Sequence, residues 1–124
     1  MPKKNKFNAV KTKGSDSKLE NRIYQILKEN EILGLEIERE PKFELQESFR
    51  NHNKKDKIRA ITFKPDFKIK YGLNEYIIEV KGMETEAYKL REKLFLFKNP
   101  DINFVKIRTK KEIEAFLNDL IDSK

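Results

Sequence analysis

The stretch from residue 61 to residue 71 constrains the fold more than any other part of the chain. Its odd positions are Ile61, Phe63, Pro65, Phe67, Ile69 and Tyr71, and its even positions are Thr62, Lys64, Asp66, Lys68 and Lys70. Successive side chains on a strand point to opposite faces, so this pattern predicts a strand with one apolar and one polar face. Pro65 has no amide hydrogen to give to a ladder, so the strand must be bulged or lie at an edge there. Gly72, Leu73 and Asn74 read as a hairpin turn, and 75–81 as the return strand.

Helical periodicity supplies the layers that cover such a sheet. A first helix is expected over 18–33, with Leu19, Ile23, Ile26, Leu27 and Leu33 as its apolar stripe. Ser17 and Glu20 have the spacing of a capping box at its start, and Gly34 stands where a C-cap glycine would. Strands are expected over 35–40 and 42–48, broken at Pro41, and then a polar loop over 49–57. A second helix is expected over 85–98, with Ala87, Leu90, Leu94 and Phe97 inward and Pro100 beyond its end. In this reading Phe95 and Phe97 belong to helix packing rather than base stacking, while Tyr71 and Tyr76 are open to either. A short buried strand over 102–107 follows. The last helix starts at Thr109, which pairs with Glu112 as a second capping box. Its core stripe is Ile113, Phe116, Leu117, Leu120 and Ile121. The order α-β-β-β-β-α-β-α predicts an α/β chain with a mixed sheet flanked by helices.

A chain of 124 residues suits one domain, here 14–124, preceded by a basic, flexible arm over 1–13. The absence of cysteine excludes disulfides and thiolate metal sites, so a metal would need oxygen ligands or the single histidine, His52. No stretch approaches the roughly 18 apolar residues that span a bilayer, and residues 1–6 lack a signal core, so a cytoplasmic protein is expected. The net charge of +7 favours a polyanion partner, because each neutralised phosphate releases counterions. Candidate DNA contacts are Lys3, Lys4, Lys6, Lys11 and Lys13 on the arm, Lys54 and Lys55 on the loop, and Lys89 and Lys93 on the second helix. His52, between two asparagines, reads as a solvated loop residue.

The chemistry concentrates in Glu79-Val80-Lys81. Glu79 and Lys81 are two apart on a strand and share a face, and Asp66 lies on the polar face of the strand before. Pairing the two strands would bring all three together. Carboxylates can hold Mg²⁺ together with phosphate oxygens, and an ammonium can orient water or offset charge on the transition state. An acid-x-Lys pattern alone carries little, since it begins at Asp16, Glu40 and Asp66 as well as at Glu79. The setting of Glu79 and Lys81, two charges interrupting an apolar strand, sets that pair apart. The plainer readings are that Glu20 is only a cap and that Glu79 and Lys81 form a surface ion-pair patch. Glu40, before a proline and without an apolar strand around it, is a poor catalytic candidate.

Pro65-Asp66, followed after twelve residues by Glu79-Val80-Lys81-Gly82, resembles the signature of the PD-(D/E)XK nuclease superfamily. Glu20 in Ser17-Lys18-Leu19-Glu20 matches the helix acid of that family, and the element order matches its αβββαβ core. The chain looks most like small phage-type and archaeal-type enzymes, the endonuclease I-like Holliday junction resolvases among them. In those groups a basic segment with a glycine often precedes the helix acid, as Lys13-Gly14-Ser15 does here. The resemblance implies Mg²⁺, with Mn²⁺ as a substitute, held by Asp66, Glu79 and the Val80 carbonyl. It implies that Lys81 positions the attacking water and that Glu20 serves a second metal or a metal-bound water. It also implies a homodimer acting on branched DNA. The alternatives are a duplex-nicking, restriction or end-processing nuclease of the same fold, or a non-catalytic DNA-binding module. One departure is that the helix after the motif carries Lys89, Arg91 and Lys93 where some members have a glutamine motif.

Overall fold

The alternating segment 61–71 forms two strands rather than one, and the break sits at Pro65. In the computed structural model, which describes the backbone of residues 7–122 and the side chains of residues 17–122, Pro65 is fully buried between them. The elements are α1 (Phe7–Glu29), a 3₁₀ turn (Glu31–Leu33), β1 (Leu35–Arg39), β2 (Phe43–Gln46), β3 (Ile61–Phe63), β4 (Phe67–Tyr71), β5 (Asn74–Val80), α2 (Glu86–Lys98), β6 (Asn103–Ile107) and α3 (Lys110–Asp122). The main sheet is mixed, in the order β1-β4-β5-β6, with β5 and β6 parallel and the other pairs antiparallel. β2 and β3 pair only with each other, as an antiparallel ribbon. A proline cannot continue a ladder, so the chain changes sheets there. The fold is of the α/β class, a mixed sheet with flanking helices.

Two apolar layers cover the sheet. On one face Ile23 and Leu27 of α1 and Ile113, Leu117 and Leu120 of α3 close over Phe67, Ile69, Ile78 and Val80. On the other, Tyr88 and Phe95 of α2 close over Ile77 and over Leu45 and Phe63 of the ribbon. Strand alternation therefore puts Ile78 and Val80 under α1 and α3, and Ile77 and Glu79 under α2.

The first helix differs from the expectation at both ends. It starts at Phe7, so residues 7–13 of the expected flexible arm are helical and the boundary at residue 14 falls inside the helix. Gly14 costs about 1 kcal/mol relative to alanine in a helix interior, which a 23-residue helix can carry. Ser17 and Glu20 form no capping box, because the amides it would serve already have carbonyl partners one turn back. The helix ends at Glu29, where Asn30 Nδ2 donates to Ile26 O at 2.8 Å. Gly34 caps the 3₁₀ turn instead, at φ 104°, and Leu33 is exposed rather than part of the stripe.

Of the four residues expected inward on the second helix, only Leu94 packs against the core. Phe97 is 82% exposed and Leu90 56%, and Ala87 is exposed too. The buried positions are Tyr88 and Phe95, with Glu92 half-buried on the same side. Glu92 can point inward because Lys106 Nζ lies 2.9 Å from its Oε1, and a carboxylate in that row hides the helical phase from hydropathy. The predicted box at α3 is present: Thr109 Oγ1 accepts from the Glu112 amide at 3.2 Å, and Glu112 Oε1 from the Thr109 amide at 3.3 Å.

Candidate active site

Asp66 and Glu79 are placed by the backbone that carries them. The Asp66 amide donates to Glu79 Oε1 at 3.1 Å, and the Val80 amide donates to Asp66 Oδ2 at 2.7 Å. Each carboxylate thus holds the other's strand where the ladder gives out before Phe67. The Asp66 carbonyl takes the Glu40 amide at 2.8 Å. Glu40 itself has φ 47°, a left-handed conformation that costs a non-glycine residue about 1–2 kcal/mol. That bond anchors the Asp66 backbone from β1, and it gives Glu40 a structural part without bringing its carboxylate into the site.

Glu20 reaches the same place from α1. Arg39, at the end of β1, donates from Nη2 to Glu20 Oε2 at 3.5 Å, and its guanidinium stacks 4.1 Å from the Tyr24 ring centroid. Lys81 follows Glu79 on the same face, and its Nζ stands 3.9 Å from the centroid of the Tyr88 ring. Glu20, Asp66, Glu79, Val80 and Lys81 line one open cleft of about 360 Å³, together with Thr62, Lys64, Tyr88 and Arg91. All four residues expected to carry the chemistry are therefore brought together.

The electrostatics are those of a crowded carboxylate site. Burial, then the neighbouring Glu79, push the Asp66 carboxyl up to about 8. Burial raises Glu79, which is 4% exposed, although Asp66 and Lys81 pull it the other way. Burial and the Asp66 charge raise Glu20, and Arg39 opposes them. Tyr88 Oη is buried without a hydrogen-bond partner among the described residues. Burial, with Glu92 and Glu79 beside it, raises the phenol. Three acids that cannot all ionise cheaply side by side are a site that gains from a cation.

Among the described residues, no group of three or more His, Cys, Asp or Glu side chains is already arranged to hold a metal ion. The donor set implied by the resemblance is smaller: two side chains, Asp66 and Glu79, and the Val80 carbonyl. Each carboxylate commits one oxygen to a backbone amide and keeps the other, so the donors fit a hard cation that also takes water and phosphate oxygens.

A family model described as "Protein of unknown function (DUF1064)" matches residues 3–114. The chain belongs to the DUF1064 family. No curated protein and no solved structure matches it. In this DUF1064 chain, sequence reasoning singled out Arg91 on the second helix and missed Arg39, Tyr88 and Lys64. Arg39 had a legible signal, because it continues the inward row Leu35, Ile37 of β1. Tyr88 had one too, three residues after the Thr85 N-cap, whose side chain accepts from the Tyr88 amide at 3.0 Å.

Of the expected DNA contacts, Lys89 and Lys93 are exposed on α2, and Lys54 and Lys55 are exposed between the ribbon strands. Lys89 Nζ lies 3.5 Å from Glu86, so it is partly neutralised. Lys11 and Lys13 fall on the first turns of α1, where only the backbone is described. Lys3, Lys4 and Lys6 lie outside the described residues. His52 is exposed and outside the cleft.

Proposed function

We propose that the protein is a divalent-metal-dependent DNA endonuclease. The observation that carries this reading is the convergence of three carboxylates, each raised by burial, and a lysine in one open cleft of a basic protein. Asp66, Glu79 and the Val80 carbonyl are the residues that would hold Mg²⁺ or Mn²⁺, with Glu20 beside them. Bound there, the ion supplies positive charge to the phosphate and makes water a better nucleophile.

The chain's own residues do the rest. Lys81 Nζ, kept over the Tyr88 ring rather than in bulk water, offers donors to an attacking water or to a phosphate oxygen. Glu20, oriented by Arg39, can accept a hydrogen bond from that water on the side away from Glu79. Lys64 and Arg91 on the cleft walls give the phosphate backbone its counter-charge. Hydrolysis on this plan leaves 5′-phosphate and 3′-hydroxyl ends. Branched DNA, cut by a homodimer with one such cleft per subunit, is the substrate this reading favours.

The test is cleavage of a four-way junction, a linear duplex and a single strand of matched sequence, each with Mg²⁺ and with EDTA. Symmetric, metal-dependent nicks in the junction support the full reading. Cutting of the duplex or single strand alone keeps the chemistry and changes the substrate. Binding without cutting in Mg²⁺ and in Mn²⁺ refutes the enzyme and leaves a DNA-binding module. Sedimentation of the junction complex tests the dimer.

A further inference from the structure

The β2–β3 ribbon stands apart from the main sheet, yet its base is a wall of the cleft. Thr62, Phe63 and Lys64 at the end of β3 line the cleft, while the far end runs past it to a tip at residues 50–57. Sequence reading leaves that tip a plain loop. In the structure it is a closed hairpin. Phe49 and Ile58 exchange both backbone hydrogen bonds, at 2.9 and 2.7 Å. Inside them Arg50 Nη1 donates to the Lys55 carbonyl at 2.8 Å, the Lys54 amide donates to the Asn51 carbonyl at 2.9 Å, and Asn51 Oδ1 accepts the Asn53 amide at 2.9 Å. These bonds use the backbone and the side chains of Arg50 and Asn51, and leave the lysine side chains out.

Cations cluster on this element: residues 50–59 hold Arg50, Lys54, Lys55, Lys57 and Arg59 against the single acid Asp56. Lys54, Lys55, Lys57 and Arg59 are exposed, and among the described residues none of them pairs with an acid. Lys28, Lys68, Lys106, Arg108 and Lys110, by contrast, are each neutralised by a glutamate. Unpaired cations on a stiff arm attract a polyanion whose charges are themselves held rigid.

We propose that this ribbon is a duplex-DNA grip that selects double-stranded over single-stranded substrate, holding the helix beyond the phosphate being cut. The inference rests on the nuclease reading for the position of the cut, and it adds the substrate class. Four residues separate Thr62 in the cleft wall from Ile58 at the base of the tip, which at roughly 3.3 Å each places the tip about 13 Å along the ribbon from the wall. That distance is about four base pairs of duplex at 3.4 Å per step. A two-stranded ribbon also fits the width of the major groove. A flexible single strand gains little from a contact so far from the cleft, because it must give up its freedom to reach it.

The experiment is fluorescence anisotropy in EDTA with a 20-base-pair duplex and with each of its separated strands, across a KCl series. Three proteins are compared: the native chain, Lys54→Ala/Lys55→Ala/Lys57→Ala, and a charge-matched control, Lys28→Ala/Lys70→Ala/Lys111→Ala. With each phosphate contact worth about 0.9 in the slope of log K against log salt, the ribbon variant should lose about 2 to 3 in slope on duplex. Its duplex affinity should fall at least about tenfold at 0.1 M salt, with single-strand affinity within about twofold of native. The control should match native on both. Lys→Gln substitutions at the same three positions should behave as the alanines do. An unchanged duplex slope, an equal loss on single strands, an equal loss in the control, or no duplex binding by the native chain overturns the proposal. Because no metal is present, these outcomes are independent of whether Mg²⁺ supports cutting, which decides the nuclease reading on its own.

Discussion

Replacing Asp66 by asparagine should abolish cleavage and make the protein more stable, by an amount that depends on pH in a fixed direction. The Asp66 carboxyl ionises near 3.8 in an unfolded chain and near 8 in the folded one, because burial and Glu79 disfavour its charge. Below pH 3.8 it is protonated in both states and contributes no difference. Between the two values the unfolded chain has released its proton and the native protein has not. Native stability therefore falls as pH rises, and the loss is complete above about 8. At pH 7 about three pH units have been crossed, and at 1.36 kcal/mol each the cost is about 4 kcal/mol. Asparagine carries no such cost. Its side-chain oxygen can still accept the Val80 amide that Asp66 Oδ2 accepts at 2.7 Å, and its amide can donate to Glu79. For a domain of this size about 3 °C per kcal/mol is typical, so the melting temperature at pH 8 should rise on the order of 10 °C without metal. The assay is differential scanning calorimetry of both proteins in EDTA at pH 4, 6 and 8. The gain should shrink to near zero at pH 4. Added Mg²⁺ should narrow it at pH 8 by stabilising only the native chain. An equal difference at pH 4 and pH 8, or a less stable variant at pH 8, would refute the assignment of the strained charge to Asp66.

Three further predictions test other parts of the reading. Glu20→Gln should lose at least about a hundredfold in cleavage, the usual scale for a positioned acid or base, while its melting temperature at pH 7 stays equal or rises, because Glu20 caps nothing and its carboxylate is disfavoured by burial; a clear drop in melting temperature with activity retained would return it to a structural part. Phe95→Ala should cost about 3–5 kcal/mol by urea denaturation and Phe97→Ala under about 0.5 kcal/mol, since Phe95 is fully buried and Phe97 is 82% exposed; similar costs would mean α2 is rotated from the face described. Thr109→Ala should cost about 1 kcal/mol by the same measurement, from the loss of the hydrogen bond to the Glu112 amide, and no loss would show that the box contributes nothing in solution.

What the sequence made legible follows from where apolar rows run unbroken. Ile69 and Tyr71, Ile78 and Val80, and the stripe of α3 announced their elements because nothing polar interrupts their buried faces. The same rule explains the failures. In α2 the inward row contains Glu92, neutralised by Lys106 from β6. Helical phase read from apolar residues alone therefore settled on Ala87, Leu90, Leu94 and Phe97, of which only Leu94 packs against the core. In the first helix a capping-box spacing at Ser17 and Glu20 competed with a helix already nearly three turns long. Local chemistry cannot tell a cap from a mid-helix serine, because the difference lies in what the preceding residues do. The break at Pro65 was legible as a break, but the destination of β3 was not. It depends on pairing with β2, across a connection whose polar residues carry no periodicity.

The candidate site was more legible than the helix faces because it violates the patterns that build the core. Glu79 is an acid in the buried half of β5, 4% exposed between Ile78 and Val80, which are themselves buried. Asp66 follows a proline in the interior of an alternating segment. Such residues cost stability where they stand, and the structure recovers only part of that cost through the two amide bonds that join them. Arg39 and Tyr88 were harder to see for the complementary reason. Each satisfies its local pattern, one as the end of an inward strand row and the other as an aromatic core residue. Only their contacts with Glu20 and Lys81 give them a second part. A Tyr88→Leu substitution separates the two parts of that residue. It keeps most of the apolar volume that packs on Phe63, so the fold should survive with a loss of about 1–2 kcal/mol. It removes the ring over Lys81, so cleavage should fall further than in Tyr88→Phe, which keeps the ring. Equal activity in the leucine and phenylalanine variants would mean that Lys81 is held by the cleft as a whole.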